Sequence, residues 1–244
     1  MCYNINMDRN IVNILGYGVD TFSFNQAKEY ILNTKGQVIT INPEMIECAE
    51  KNSEFAKIIK SAQLVVPDGI GIKLGFKILG HNVERIAGID FGMALIKCFC
   101  SNNKKIAFIG STADVVENAI HNIKNELPNL NVVYYHDGFF DDKSVIYEQV
   151  IKSQPDLVLV ALGSPKQEFF IFELKDKLPD SVLIGLGGSF DVWAGAVKRA
   201  PKIFQNLGIE WLFRLISEPK RIKRIFPAIP LFIFKVIKER LKNK

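Results

Sequence analysis

The chain has 244 residues, 48% of them hydrophobic and 23% charged, with a net charge of +5. That is enough to bury a substantial core, and the composition excludes a disordered chain. Four scattered cysteines (Cys2, Cys48, Cys98, Cys100) offer neither a zinc spacing nor a disulfide framework, which fits a reducing compartment.

The first ten residues lack a basic start followed by an apolar core. No run reaches the ~20 apolar residues of a spanning helix, so neither a signal peptide nor a transmembrane segment is expected. Charge is unevenly placed. From position 196 onward thirteen Lys and Arg face three acidic residues, while the preceding positions are net negative. We therefore divide the chain into a core, 1–195, and a basic C-terminal appendage, 196–244, whose partner should be anionic.

Residues 11–15 read as a strand, broken by Gly16 and Gly18, and 24–32 as a helix capped by Ser23. VITI at 38–41 is a second strand. Asn42 then caps the helix that Pro43 opens, and at a strand's carboxyl end it is also placed to meet a ligand. Both roles stay open. At 64–71, LVVPDGIG, an apolar run breaks at Pro67 and leaves a single acid, Asp68, between strand and glycines, ahead of a helix over 72–79. Arg85 follows in a loop flanked by Gly80 and Gly88, where its fixed fork suits a diphosphate.

Strand, glycine turn and helix recur at 106–120, with Ser111 or Thr112 near the cap, a weak anion-binding signal. A strand at 132–135 leads to His136, a loop histidine without an evident partner, and to the acidic turn Asp141-Asp142. The continuous apolar run 157–163 marks a central strand buried on both faces. Its exit, SPKQE, has Ser164 as cap, Gln167 open to a sugar or base, and Glu168 closing a capping interaction. The last strand ends at Gly187-Gly188, where backbone can approach a ligand closely. This alternation implies a Rossmann-like α/β fold, a mainly parallel sheet with helices on both faces, plus the basic helical appendage. The strand exits converge on one pocket around Asp68.

In the appendage, Ile209, Leu212, Phe213 and Ile216 form an apolar stripe at helical spacing, with Glu210, Arg214 and Glu218 on another face. Pro227 and Pro230 interrupt the apolar run 225–234. A helix over 231–241 would gather Lys235, Lys238 and Lys242 opposite Ile233, Val236 and Ile237, the pattern of a helix lying in a membrane interface.

Five stretches in order, LVVPDGIG, ERIAGID, LVALGSPKQE, GLGGSFDVWAGAVKRAP and LGIEWLFRLISEPKR, resemble the successive signatures of the WecG/TagA/CpsF glycosyltransferases over roughly 11–224. The resemblance implies inverting transfer of N-acetylmannosamine from a UDP donor to the 4-hydroxyl of N-acetylglucosamine on undecaprenyl diphosphate. Such transfer needs a base for the acceptor hydroxyl, and Asp68, matching the acid of the family's DG motif, takes that role. The departing UDP needs cations or oriented N–H groups. Arg85, Arg214 and Arg221 are the candidates, while Thr40, Asn42, Gln167, Gly187 and Arg224 are placed around the donor.

The sequence has no D-x-D, so neither a metal nor another cofactor is expected. The implied partners are the UDP-sugar, a polyprenyl-diphosphate-linked acceptor, an anionic membrane surface and a second copy of the chain, but not nucleic acid. The implied location is the cytoplasmic face of the cell membrane, held peripherally. A relative transferring N-acetylmannosaminuronic acid is the alternative.

Overall fold

A computed structural model describes residues 9–206, Glu210, Phe213 and 222–242. The chain opens with an antiparallel hairpin, β1 (Ile11–Ile14) and β2 (Tyr17–Asp20), forming a sheet of its own. The sequence reading took only the first strand. The turn between them is Leu15-Gly16, both at positive φ, a two-residue hairpin geometry that lacks the usual Asn-Gly signal. Asp20 is buried, bound by Arg9 through two 2.8 Å contacts and by the Val65 N–H at 2.8 Å, so the hairpin is tied to the edge of the main sheet.

The main sheet is built from β3 (Gly36–Ile41), β4 (Leu64–Pro67), β5 (Lys105–Gly110), β6 (Asn131–His136), β7 (Leu157–Ala161) and β8 (Val182–Gly185). Its order is β4-β3-β8-β7-β5-β6 and every pairing is parallel. All carboxyl ends therefore open on one edge. β7, buried at all five positions, is the central strand its apolar run implied.

Strand periodicity of two assigns the core to two layers. Val38, Leu64, Phe108, Leu159 and Ile184 face α1 (Phe24–Thr34), α5 (Gly88–Ser101), α6 (Ala113–Glu126) and α9 (Ser189–Trp193). On the other face, Ile39, Ile41 and Val65 meet α2 (Pro43–Lys51), α3 (Ser53–Lys60) and α4 (Gly69–Leu79). Val158, Val160 and Leu183 there meet α7 (Lys143–Ser153) and α8 (Lys166–Lys175). Local chemistry explains the helix starts. Ser23 and Gln26 form a reciprocal capping box on α1, Asn42 accepts from the Met45 N–H at 3.0 Å, and Asp142 accepts from Ser144 at 2.8 Å.

The long α5, absent from the sequence reading, buries eight residues, and its outward positions Met93, Ala94 and Cys98 are themselves apolar, so composition alone does not mark the buried face. A short α10 (Lys202–Asn206) follows α9. The last element, α11 (Ile222–Lys242), is continuous through Pro227 and Pro230, where a break was expected. Its Ala228, Phe232 and Val236 are buried, and it packs along α2 and α4. Tertiary packing thus outweighs the helix bonds that the two prolines remove. Gly75 makes the approach feasible, since a Cβ there would lie 2.7 Å from Ile14 and 3.0 Å from Phe232.

The expected grouping of three lysines on α11 is corrected. Lys235 turns toward the core and binds Glu47 at 2.7–2.8 Å and also Glu50. Val236 is buried while Ile237 is exposed, so these two residues do not share a face. Of the stripe anticipated before this helix, Phe213 packs on Phe204 with ring centroids 5.7 Å apart. Ile209, Leu212, Ile216, Arg214 and Glu218 lie outside the described residues.

Candidate active site

A cavity of about 620 Å³ opens at the carboxyl edge of the sheet, over the ends of β3, β4, β7 and β8. This is where open α/β sheets bind ligands. Its floor is Asp68. Pro67 ends β4, the Asp68 N–H bonds to the Ile41 carbonyl at 2.9 Å, and the Ile86 N–H bonds to the Pro67 carbonyl at 2.9 Å. Those two bonds staple the exit of β3 and the Arg85 loop to the Asp68 turn.

Helix α4 begins at Gly69, three residues before the expected start, so Asp68 is its N-cap. Yet the side chain makes no capping bond. The carboxylate turns instead to the start of α5 and accepts the Gly88 N–H at 3.3 Å. It therefore stands between the amino ends of two helices, whose dipoles favour its charged form. Burial works the other way and wins. Desolvation pushes the Asp68 carboxyl up from 3.8 to about 6 against the Gly88 N–H, the Arg85 charge and the Gly69 N–H, with Glu210 adding to the rise. The residue keeps some exposure to the cavity while its carboxyl sits away from bulk water. A carboxylate poised near neutrality on a cavity floor is suited to proton abstraction.

Arg85 lines the same cavity, and its Nη2 donates to Glu210 Oε1 at 3.0 Å and to the Gln205 carbonyl at 3.2 Å. Thr40 sits at the end of β3 with its hydroxyl beside Gly88, where an added Cβ would stand 3.2 Å from Thr40 Oγ1 and 3.5 Å from Asp68 Oδ2. Asn42 combines both roles left open for it: it caps α2 and lines the cavity.

Gln167 and Gly187 also line the cavity, and they hold each other. The Gly187 N–H donates to Gln167 Oε1 at 2.9 Å, while Gln167 Nε2 donates to Glu168 Oε1 at 2.8 Å. The amide passes over Gly185, where a Cβ would lie 2.5 Å from Nε2. Both ends of this amide are thus engaged in bracing the β8 exit.

The expected helix start at β7 is corrected. α8 begins at Lys166 with Pro165, not Ser164, at the cap position, and no side chain caps it. Glu168 is 3% exposed and closes no capping interaction. Burial raises its pKa, with Gln167 and Ser164 opposing the rise. His136 bonds through Nδ1 to the Asp137 carbonyl at 2.9 Å and does not line the cavity. Ser111 donates to Asp191 at 3.3 Å, joining the end of β5 to α9.

Of the cations assigned to the leaving group, only Arg85 has a described side chain. Arg214 and Arg221 lie outside the described residues. Arg224 falls in α11, with its side chain outside them. The sequence reading missed Arg199 and gave Glu210 only a place on a helix face. Arg199 binds Asp90 at 2.6 Å, and Glu210 meets both Arg85 and Arg199. Their hydrogen-bonded partners, Asp90 and Arg85, are over a hundred residues away in sequence, so no local pattern marks those bonds. Among the described residues, no cluster of three or more His, Cys, Asp or Glu could hold a metal ion.

The strand exits of a parallel α/β sheet thus bring a carboxyl group with a raised pKa and a paired arginine into one cavity. Comparison with known proteins gives the class. Residues 12–244 match the model of the Glycosyl transferase WecG/TagA/CpsF family, and the chain belongs to that family. It is 39% identical over 219 residues to a protein of Bacillus subtilis (strain 168), covering 89% of this chain and 85% of the relative. A protein of Bacillus spizizenii is 37% identical over 218 residues, covering 88% and 84%. One of Staphylococcus aureus (strain MW2) is 32% identical over 228 residues, covering 93% and 87%. All three are named N-acetylglucosaminyldiphosphoundecaprenol N-acetyl-beta-D-mannosaminyltransferase.

Proposed function

We propose that the protein transfers N-acetylmannosamine from UDP-N-acetylmannosamine to the 4-hydroxyl of N-acetylglucosamine on undecaprenyl diphosphate, forming the linkage disaccharide of wall teichoic acid. The observation that carries the mechanism is Asp68, a cavity-floor carboxylate with a pKa of about 6 whose side chain makes no capping bond to α4. Asp68 takes the proton of the acceptor hydroxyl as that oxygen attacks the anomeric carbon. The bond from this carbon to the UDP oxygen breaks on the opposite face, so configuration inverts and UDP leaves with the bonding pair. Arg85 and the amino ends of α4 and α5 meet the charge that develops on the diphosphate. Thr40, Asn42 and the Gln167–Gly187 brace shape the donor side. Arg214, Arg221 and Arg224 supply further cations from the appendage. The absence of D-x-D supports a route without a metal ion, which predicts full activity in excess EDTA.

The appendage, 196–244, serves the membrane on which the acceptor resides. On α11, Leu231, Phe234, Ile237 and Leu241 are exposed on one side of the helix, with exposed Lys238 and Lys242 beside them. Among the described residues, no helix is long and apolar enough to cross a membrane. The stripe fits a helix seated in the cytoplasmic interface, the apolar side chains buried and the lysines over anionic headgroups at about 1 kcal/mol each. Phe234→Ser with Leu241→Ser should sharply lower sedimentation with anionic vesicles, and unchanged binding would place the membrane contact elsewhere.

The direct test of the reaction is an assay of the purified chain with a panel of UDP-sugars and a short-chain lipid diphosphate bearing N-acetylglucosamine. Transfer from UDP-N-acetylmannosamine alone is the expected result. Transfer from UDP-N-acetylmannosaminuronic acid instead would select the alternative donor. No transfer from either would overturn the reading.

A further inference from the structure

Arg85 is only 17% exposed at its side chain, and a guanidinium so far withdrawn from water needs a counter-charge at all times. Glu210 supplies one, its Oε1 3.0 Å from Arg85 Nη2. The same carboxylate has a second cation within reach. Its Oε2 lies 4.0 Å from Arg199 Nε, too far for a hydrogen bond. That Nε is buried and has no hydrogen-bond partner among the described residues. Arg199 itself is held in place, its Nη2 bound to Asp90 Oδ2 at 2.6 Å in the first turn of α5. A buried donor without a partner is rare in folded proteins, and Glu210 Oε2 is an acceptor within reach of this one.

We propose that Glu210 is a two-position carboxylate that competes with the donor's diphosphate for Arg85 and, when displaced, closes onto Arg199 Nε. The proposal rests on the reading of the pocket as the UDP-sugar site and identifies the group that tunes its affinity. A diphosphate offers more charge than one carboxylate and can engage the arginine fork with two oxygens, so it takes Arg85 from Glu210. Arg199 Nε then satisfies Glu210, and neither carboxylate nor guanidinium is left alone in the pocket at any stage.

The test is calorimetric titration of UDP into the full chain and three variants. Glu210→Gln keeps the shape but removes the competing charge, and UDP should bind about fivefold more tightly. Arg199→Lys keeps a cation for Asp90 but cannot serve Asp90 and Glu210 together, so UDP should bind about threefold more weakly. In the double variant the Arg199→Lys effect should vanish, because the displaced group no longer needs a second partner. That last arm separates the exchange from a simple gain in positive potential, which would leave the two effects additive. UDP binding to the wild-type chain that is unchanged or weakened by Glu210→Gln overturns the inference, as does an Arg199→Lys effect that persists undiminished in the double variant. A wild-type chain that binds no UDP contradicts the donor reading itself.

Discussion

The ends of β4 and β7 each bury a carboxyl group at the same edge of the sheet, and in both burial raises the pKa. They differ in what surrounds them. Asp68 opens to the cavity, with one 3.3 Å bond from the Gly88 N–H and an arginine nearby. Glu168 is sealed behind the cavity wall, its Oε1 bonded to Gln167 and its Oε2 buried without a hydrogen-bond partner among the described residues. Withdrawal from water therefore does not by itself make a base. A base also needs a face on which a hydroxyl can stand, and of this pair only Asp68 has one. Glu168 acts at one remove, by fixing the amide that fixes Gly187.

This contrast can be broken by removing each function in turn. The largest effect belongs to Asp68→Asn, which keeps the shape of the floor and removes the proposed base; turnover should fall by ~100-fold to 10,000-fold. UDP affinity, measured by calorimetry, should change little. Near-normal turnover would take Asp68 out of the chemistry.

The same variant should be more stable than the wild type at neutral pH. The folded-state pKa of Asp68 is about 6 against an ordinary 3.8, so the protonated form is the one the fold favours. Its contribution to stability is complete below the ordinary value and is lost as pH rises through about 6. Asparagine never ionises, so by linkage Asp68→Asn should gain up to ~3 kcal/mol at pH 7.5. The gain should shrink to under ~1 kcal/mol near pH 4. Urea unfolding at the two pH values measures it, and equal stability at pH 7.5 would mean that the carboxyl is not desolvated.

At the end of β7 the expected effect is smaller and structural first. Gln167→Leu leaves the Gly187 N–H and the Glu168 carboxyl without their shared partner, which should cost about 1–3 kcal/mol. A variant as stable as the wild type would show that the brace is dispensable.

The sequence displayed one of these two ends clearly and disguised the other. LVVPDGIG exposes its acid because proline and glycines leave Asp68 nothing local to do, and the alternation of apolar runs with helical segments sufficed for the parallel sheet. SPKQE looks like a helix start closed by its own glutamate, and only the fold reveals that Glu168 points inward to Gln167. The hairpin strand β2 was hidden by a Leu-Gly turn, and the continuity of α11 by prolines that packing against α2 and α4 overrides. Arg199 and Glu210 were illegible as site residues for a different reason. Their hydrogen-bonded partners, Asp90 and Arg85, lie 109 and 125 positions away, beyond any local window.

If Asp68 is the base, the reaction should titrate with its carboxyl, which burial holds at about 6. The pH dependence of kcat/KM for transfer to a soluble lipid-diphosphate analogue tests it most directly. A single acid limb with an apparent pKa of about 6 is expected, falling tenfold per pH unit below it, with no such limb in the residual activity of Asp68→Asn. An acid limb near 4, or one near 6 that persists in the variant, would contradict it.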